Sequence, residues 1–215
     1  MKKYVVIDLE MCMVDKAART KEYPWSREMI QIGAVLLNDA YEITDRFSTY
    51  VHPEHGTITR FIQNLTGISK RDTQNAPLAK NALAALSEWI PEEALLVSWS
   101  NNDLVQIRRE MEYKQIVNSK MSGFFEQWID CQKEFAEKMS VSKKYRLSEA
   151  LTISDIYYNE AIHDGLVDAE NTALLFAKIR QEEQLTLNPH YRNADMVEES
   201  TYNPFAELFA GLCIA

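Results

Sequence analysis

The chain has 215 residues, 46% hydrophobic and 26% charged, with a net charge of −9. That length and composition suit one soluble domain with a real core and exclude a disordered or fibrous chain. No apolar run approaches the roughly 18 residues of a membrane helix, the apolar run after Lys2-Lys3 is too short for a secretory signal, and the acidic balance speaks against a general nucleic-acid binder. Cys12, Cys131 and Cys213 are odd in number and lack CxxC spacing, which argues against a disulfide framework or zinc site and favours a reducing cytoplasm.

The first element is the apolar run YVVI at 4–7, the pattern of a strand buried on both faces. Asp8 and Glu10 follow at its end. A second β-rich run covers 29–38, and Asn38-Asp39-Ala40 supplies the turn into a third strand with Ile43, Phe47, Thr49 and Val51 on alternate positions, stopped by Pro53. A helix spans 77–91, where Leu78, Ala82, Leu86 and Trp89 repeat at helical spacing between two prolines. A fourth strand is expected at 94–99, a helix at 103–116 opening on an acid, and a short fifth strand in FFEQWID at 124–130. SEALTI at 148–153 and the segment 165–184 read as helices. Three strands followed by alternating helices and strands imply an α/β fold of three layers with a mixed sheet.

In a strand, residues i and i+2 face the same way, about 6.6 Å apart. Asp8 and Glu10 can therefore converge on one point, where like charges raise each other's pKa unless a cation compensates. Hard oxygen ligands suit Mg²⁺ or Mn²⁺. Asp103 stands just beyond the fourth strand at a helix start, and His163 precedes Asp168 by five residues. A loop histidine and an aspartate in the next helix's first turns can point into one cleft. Each alone has an ordinary structural explanation; in this order they reinforce one another.

Asp8-x-Glu10, Asp103 and His163-x4-Asp168 resemble the three-motif signature of the DEDDh 3′–5′ exonuclease superfamily, which includes ribonuclease T and polymerase proofreading subunits. The segments MIQIGAVLLND, FSTYVHPE and FIQNLTGIS resemble the branch of histone-mRNA 3′-end and sporulation-inhibitor exonucleases. The chain has MCM where the family often has Thr-Thr-Gly after the Glu, SNND where it often has a His-Asn pair, and a long segment from Val14 to Met29 before the second strand. The resemblance implies a ribonuclease H-like fold, a central mixed five-stranded sheet flanked by helices, over residues 1–182. Residues 183–215 would be a C-terminal extension packing on that domain or on a second subunit. Asp8, Glu10, Asp103 and Asp168 would hold two divalent ions, Mg²⁺ or Mn²⁺, about 3.5–4 Å apart, with Asp8 bridging. His163, with an ordinary pKa of about 6.5, would be the general base.

The resemblance further implies hydrolysis at single-stranded 3′ ends, RNA preferred over DNA, releasing nucleoside 5′-monophosphates. Met11, Leu65, Thr66, Gly67 and Ile68 would line the terminal-base pocket, with Phe61 and Trp99 as additional candidates that core packing explains equally well. Lys70/Arg71 and Lys143/Lys144/Arg146 could grip phosphates locally; Arg108/Arg109 read better as a solvated helix face. Asp130, Asp155 and Asp164 are acids outside the motif, and Cys12 reads as packing. Two further readings are a small-substrate phosphodiesterase, which would lose activity as oligonucleotides lengthen, and a non-catalytic adaptor, which would fail to bind Mn²⁺.

Overall fold

A computed structural model describes residues 2–161 and 163–191. Five strands, β1 (Lys3–Met13), β2 (Arg27–Leu37), β3 (Ile43–Tyr50), β4 (Ala94–Ser98) and β5 (Ile129–Asp130), form one sheet in the order β3-β2-β1-β4-β5. The β1–β2 and β2–β3 pairs are antiparallel, and β1–β4 and β4–β5 are parallel. The sheet is therefore mixed, as expected, with β1 at its centre.

Alternation along β1 splits the core into two layers. Val5, Ile7 and Leu9 face one side, packing with Leu83 and Leu86 of α3 (Ala79–Trp89) and Ile107 of α4 (Asn102–Tyr113). Tyr4 and Val6 face the other. There they meet Phe135 of α6 (Cys131–Lys138), Leu151 of α7 (Leu147–Ile153) and Phe176 of α8 (Gly165–Gln181). A smaller cluster joins Cys12 and Ile30 to Ile62 of α1 (Arg60–Thr66) and to Ile68. A one-turn helix, α2 (Lys70–Thr73), and α5 (Ser119–Phe124) complete the described α-helices, beside two 3-10 turns at Lys16–Ala18 and Phe125–Gln127.

Several boundaries differ from the sequence reading. β1 does not stop at residue 7; the acids lie inside it, because β2 keeps pairing out to Met13↔Arg27. The stretch 124–130 is mostly not strand: Phe124 ends α5 as a buried anchor and the chain turns before pairing only at Ile129 and Asp130. Asp130 then accepts the Lys133 N–H as the N-cap of α6, which ends the strand. α4 ends at Tyr113 rather than 116, since Gln115 is left-handed (φ 52°). The segment between β1 and β2 is an excursion from the hairpin, closed by a Val14 N–H bond to the Ser26 carbonyl at 3.0 Å. No described helix is long and apolar enough to cross a membrane. The apolar tail lies outside the described residues, and with it the expectation of a second subunit.

Candidate active site

Asp8 and Glu10 point from β1 toward the α8 side, as their spacing requires. Asp103, in the first turn of α4, reaches β1 itself: the Leu9 N–H, between the two acids, donates to its Oδ1 at 3.2 Å. His163 has a left-handed backbone (φ 66°), a conformation that histidine tolerates better than most residues. Its N–H donates to Asp168 Oδ2 at 2.9 Å, tying the loop to the first turns of α8. Ligand-capable atoms of Glu10, His163 and Asp168 lie within 4.8 Å of one another. Sequence-distant acids from β1, α4 and α8 thus share one electrostatic site with His163.

The charges press on each other. Desolvation, then Asp103, Asp168 and Glu10, hold Asp8 well above the usual carboxylate range. Burial, then Asp168 and Asp103, push Glu10 up to about 8. Burial and Asp168 raise Asp103 to about 7 against its bond from Leu9. Burial also raises Asp168, opposed by the His163 N–H and ring. Asp168 Oδ1 is buried without a hydrogen-bond partner among the described residues. An all-carboxylate oxygen set, mutually repelling and with an orphaned acceptor, fits a hard divalent cation.

Two residues that the sequence reading passed over fix α8 against the acids. Gly33 on β2 pairs with Asp8, and Gln31 pairs with Glu10. A Cβ on Gly33 would stand 2.1 Å from the Gly165 carbonyl carbon, so α8 rests directly on the sheet there. Gln31, 3% exposed, accepts the Gly165 N–H at 2.9 Å. Asp164 caps α8 through the Leu166 and Val167 N–H groups, which accounts for this extra acid. A buried glutamine between strand apolar residues was the available signal.

The proposed base pocket divides. Ile68 and Thr66 are buried, Phe61 and Leu65 are exposed on successive turns of α1, Gly67 caps that helix with φ 74°, and Met11 is half-buried on β1. Trp99 lies elsewhere, in the α6–α8 core beside Phe135, lining a cleft with His163 and Asp168. Cys12 is buried among Ile30 and Ile62, its thiol pushed up to about 12 by burial and by Glu28, which suits packing. Arg108 covers the Phe125 ring and Arg109 pairs with Glu112.

A buried ion network also escaped the sequence reading. Lys114 Nζ lies 2.6 Å from Glu28, 2.7 Å from Glu110 and 3.0 Å from Glu54. Glu28 also accepts the N–H groups of Glu54, His55 and Gly56, so Lys114 and these bonds outweigh burial and hold its carboxyl low. This network pins α4, the start of β2 and the loop leading to α1.

The human protein "ERI1 exoribonuclease 2" is 31% identical over 202 residues, covering 81% of this chain, while this chain spans 28% of its length. The fold is shared with cell-death related nuclease 4 (TM-score 0.69, 23% identity, 86% of this chain and 66% of that one). It is also shared with the nuclease domain of 3′hExo, a DEDDh family member solved with rAMP (TM-score 0.67, 23% identity, 86% and 96%). The RNase_T exonuclease model matches residues 5–176, and the chain belongs to that exonuclease family.

Proposed function

We propose that this chain is a metal-dependent 3′–5′ exonuclease acting on single-stranded RNA in preference to DNA. The observation that carries this is the convergence of Asp8, Glu10, Asp103 and Asp168 with His163, one Asp168 oxygen being left unpartnered. The four carboxylates would hold two divalent cations, Mg²⁺ or Mn²⁺. Such ions supply positive charge at a phosphoryl oxygen and acidify a water. His163 accepts the proton of the attacking water; the bond from phosphorus to the upstream 3′ oxygen breaks, releasing a nucleoside 5′-monophosphate and a shortened strand. Met11, Phe61 and the Leu65–Ile68 segment (65–68) receive the terminal nucleotide, supported by the exposed Phe61 and Leu65 on α1. RNA is favoured because the ERI1 relative is named an exoribonuclease. Residues 1–182 form the exonuclease domain and 183–215 an extension, of which Leu185, Leu187 and Tyr191 pack on the α8 core. Free buried Cys12 and Cys131 suit a reducing cytoplasm.

The test is digestion of a 5′-labelled single-stranded RNA, beside the matching DNA, with Mg²⁺, Mn²⁺ or EDTA, for wild type and Asp8→Asn. A ladder shortening from the 3′ end, stronger on RNA, abolished by EDTA and reduced at least about 10³-fold in the variant is expected, a loss of about 4 kcal/mol in transition-state stabilisation. No ladder on either polymer would overturn the proposal.

A further inference from the structure

A cleft of about 500 Å³ opens beside His163 and Asp168, on the α6–α8 side of the sheet. Its floor is apolar: Trp99, Tyr145 and Leu151 are all buried. Its rim carries Lys144 and Arg146, both exposed. Among the described residues neither cation has an ion-pair partner, although the chain carries a net charge of −9. Asp168 is the one acid lining the cleft. The indole N–H of Trp99, a residue 9% exposed, has no hydrogen-bond partner among the described residues. An apolar floor beside two cations that lack ion-pair partners among the described residues suits a base against the floor, on the side of Tyr145 that Lys143 does not cover, and phosphate at the rim.

The cleft is separate from α1. Ile62 of α1 and Ile68 pack with Cys12 and Ile30 in their own cluster, and none of Met11, Phe61, Leu65, Thr66, Gly67 or Ile68 lines the cleft. The volume is that of a small-ligand site. We infer that this cleft is a second nucleotide subsite, holding the nucleotide on the 5′ side of the scissile bond with its phosphate on Lys144 and Arg146. The inference rests on the exonuclease reading and extends it from the bond that breaks to the strand that remains. It makes the enzyme a reader of at least two nucleotides, with the upstream grip supplied by the segment before α7.

The test uses the full chain and the double variant Lys144→Gln/Arg146→Gln, whose exposed positions leave folding intact, as a thermal melt checks. Two substrates are compared with Mn²⁺: a single-stranded RNA decamer, and the p-nitrophenyl ester of a nucleoside 5′-monophosphate, which has no upstream nucleotide. The variant should raise KM for the decamer about tenfold relative to KM for the ester, with kcat on the decamer within about twofold. The slope of log KM against log salt should shrink by about 1.4 as two single-strand phosphate contacts are lost. An unchanged decamer KM, or equal losses on both substrates, overturns the subsite. Should wild type hydrolyse neither substrate, the exonuclease reading falls. Anisotropy of a fluorescein-labelled decamer then decides the cleft: equal affinity for wild type and variant overturns it, and a weakened variant supports it.

Discussion

Gly33 shows how one residue without a side chain sets the geometry of four with charges. It lies opposite Asp8, and the backbone of Gly165 occupies the space a methyl group would need. Gly33→Ala must lift the start of α8, and with it Asp168 and the His163 loop, away from β1. Overpacking of this kind costs roughly 1–3 kcal/mol. The expected result is a urea midpoint lowered accordingly and kcat reduced at least about tenfold; an unchanged kcat at lowered stability would show that α8 can shift without disturbing the acids. At this scale the carboxylates were legible because strand alternation and helix starts dictate where such side chains point. Gln31 and Gly33 were not, since their partner lies in a helix more than a hundred residues away, and no local pattern announces a contact between two backbones. For Trp99 the sequence left a base contact and core packing equally open, and the fold places it in the α6–α8 core layer, lining the cleft beside His163.

Elements with long periodic patterns were legible, and of the short ones so were β4 and α7, but several others were not. β2, α3 and α8 followed from apolar spacing. α1, α2, α5 and α6 escaped because none exceeds eight residues and their caps, such as Thr59 for α1 and Asn118 for α5, lie among residues common in any loop. The length of β1 was underestimated because polar residues interrupt the apolar run where the site is. Between elements, Lys114 is the junction: it joins the end of α4 to β2 and to the loop before α1. Lys114→Met leaves Glu28 and Glu110 buried without their counter-charge, and removing one partner of such a set costs about 3–5 kcal/mol. Urea unfolding should show a loss of that size. A loss under about 1 kcal/mol would mean that Glu110, held high by burial, already carries a proton.

At the scale of the whole molecule, the cost of the acid cluster is a matter of pH. Glu10 titrates near 8 in the folded chain against an ordinary value of 4.5. A raised folded pKa means that the folded state holds more protons than the unfolded one between those values, so this contribution is fully present below the unfolded pKa and is lost as pH rises through about 8. Asp103, raised to about 7, acts in the same direction. Glu10→Gln removes the penalty. In EDTA, the melting temperature of the variant minus that of wild type should therefore increase from pH 5 to pH 8.5. A flat difference over that range would mean that Glu10 is ionised throughout. Mn²⁺ should stabilise wild type increasingly over the same interval, because the cation competes with protons for these oxygens. The mixed sheet and the layering were legible from strand order, and so were the overall acidity and the four carboxylates in which part of it gathers; the Lys114 network was not.

The acids come from residues 8, 10, 103 and 168, so no contiguous fragment short of α8 contains the site. A chain clipped before α8 keeps Asp8, Glu10 and Asp103 but lacks Asp168, the partner of the His163 N–H. The candidate site is therefore complete only when α8 lands on Gly33.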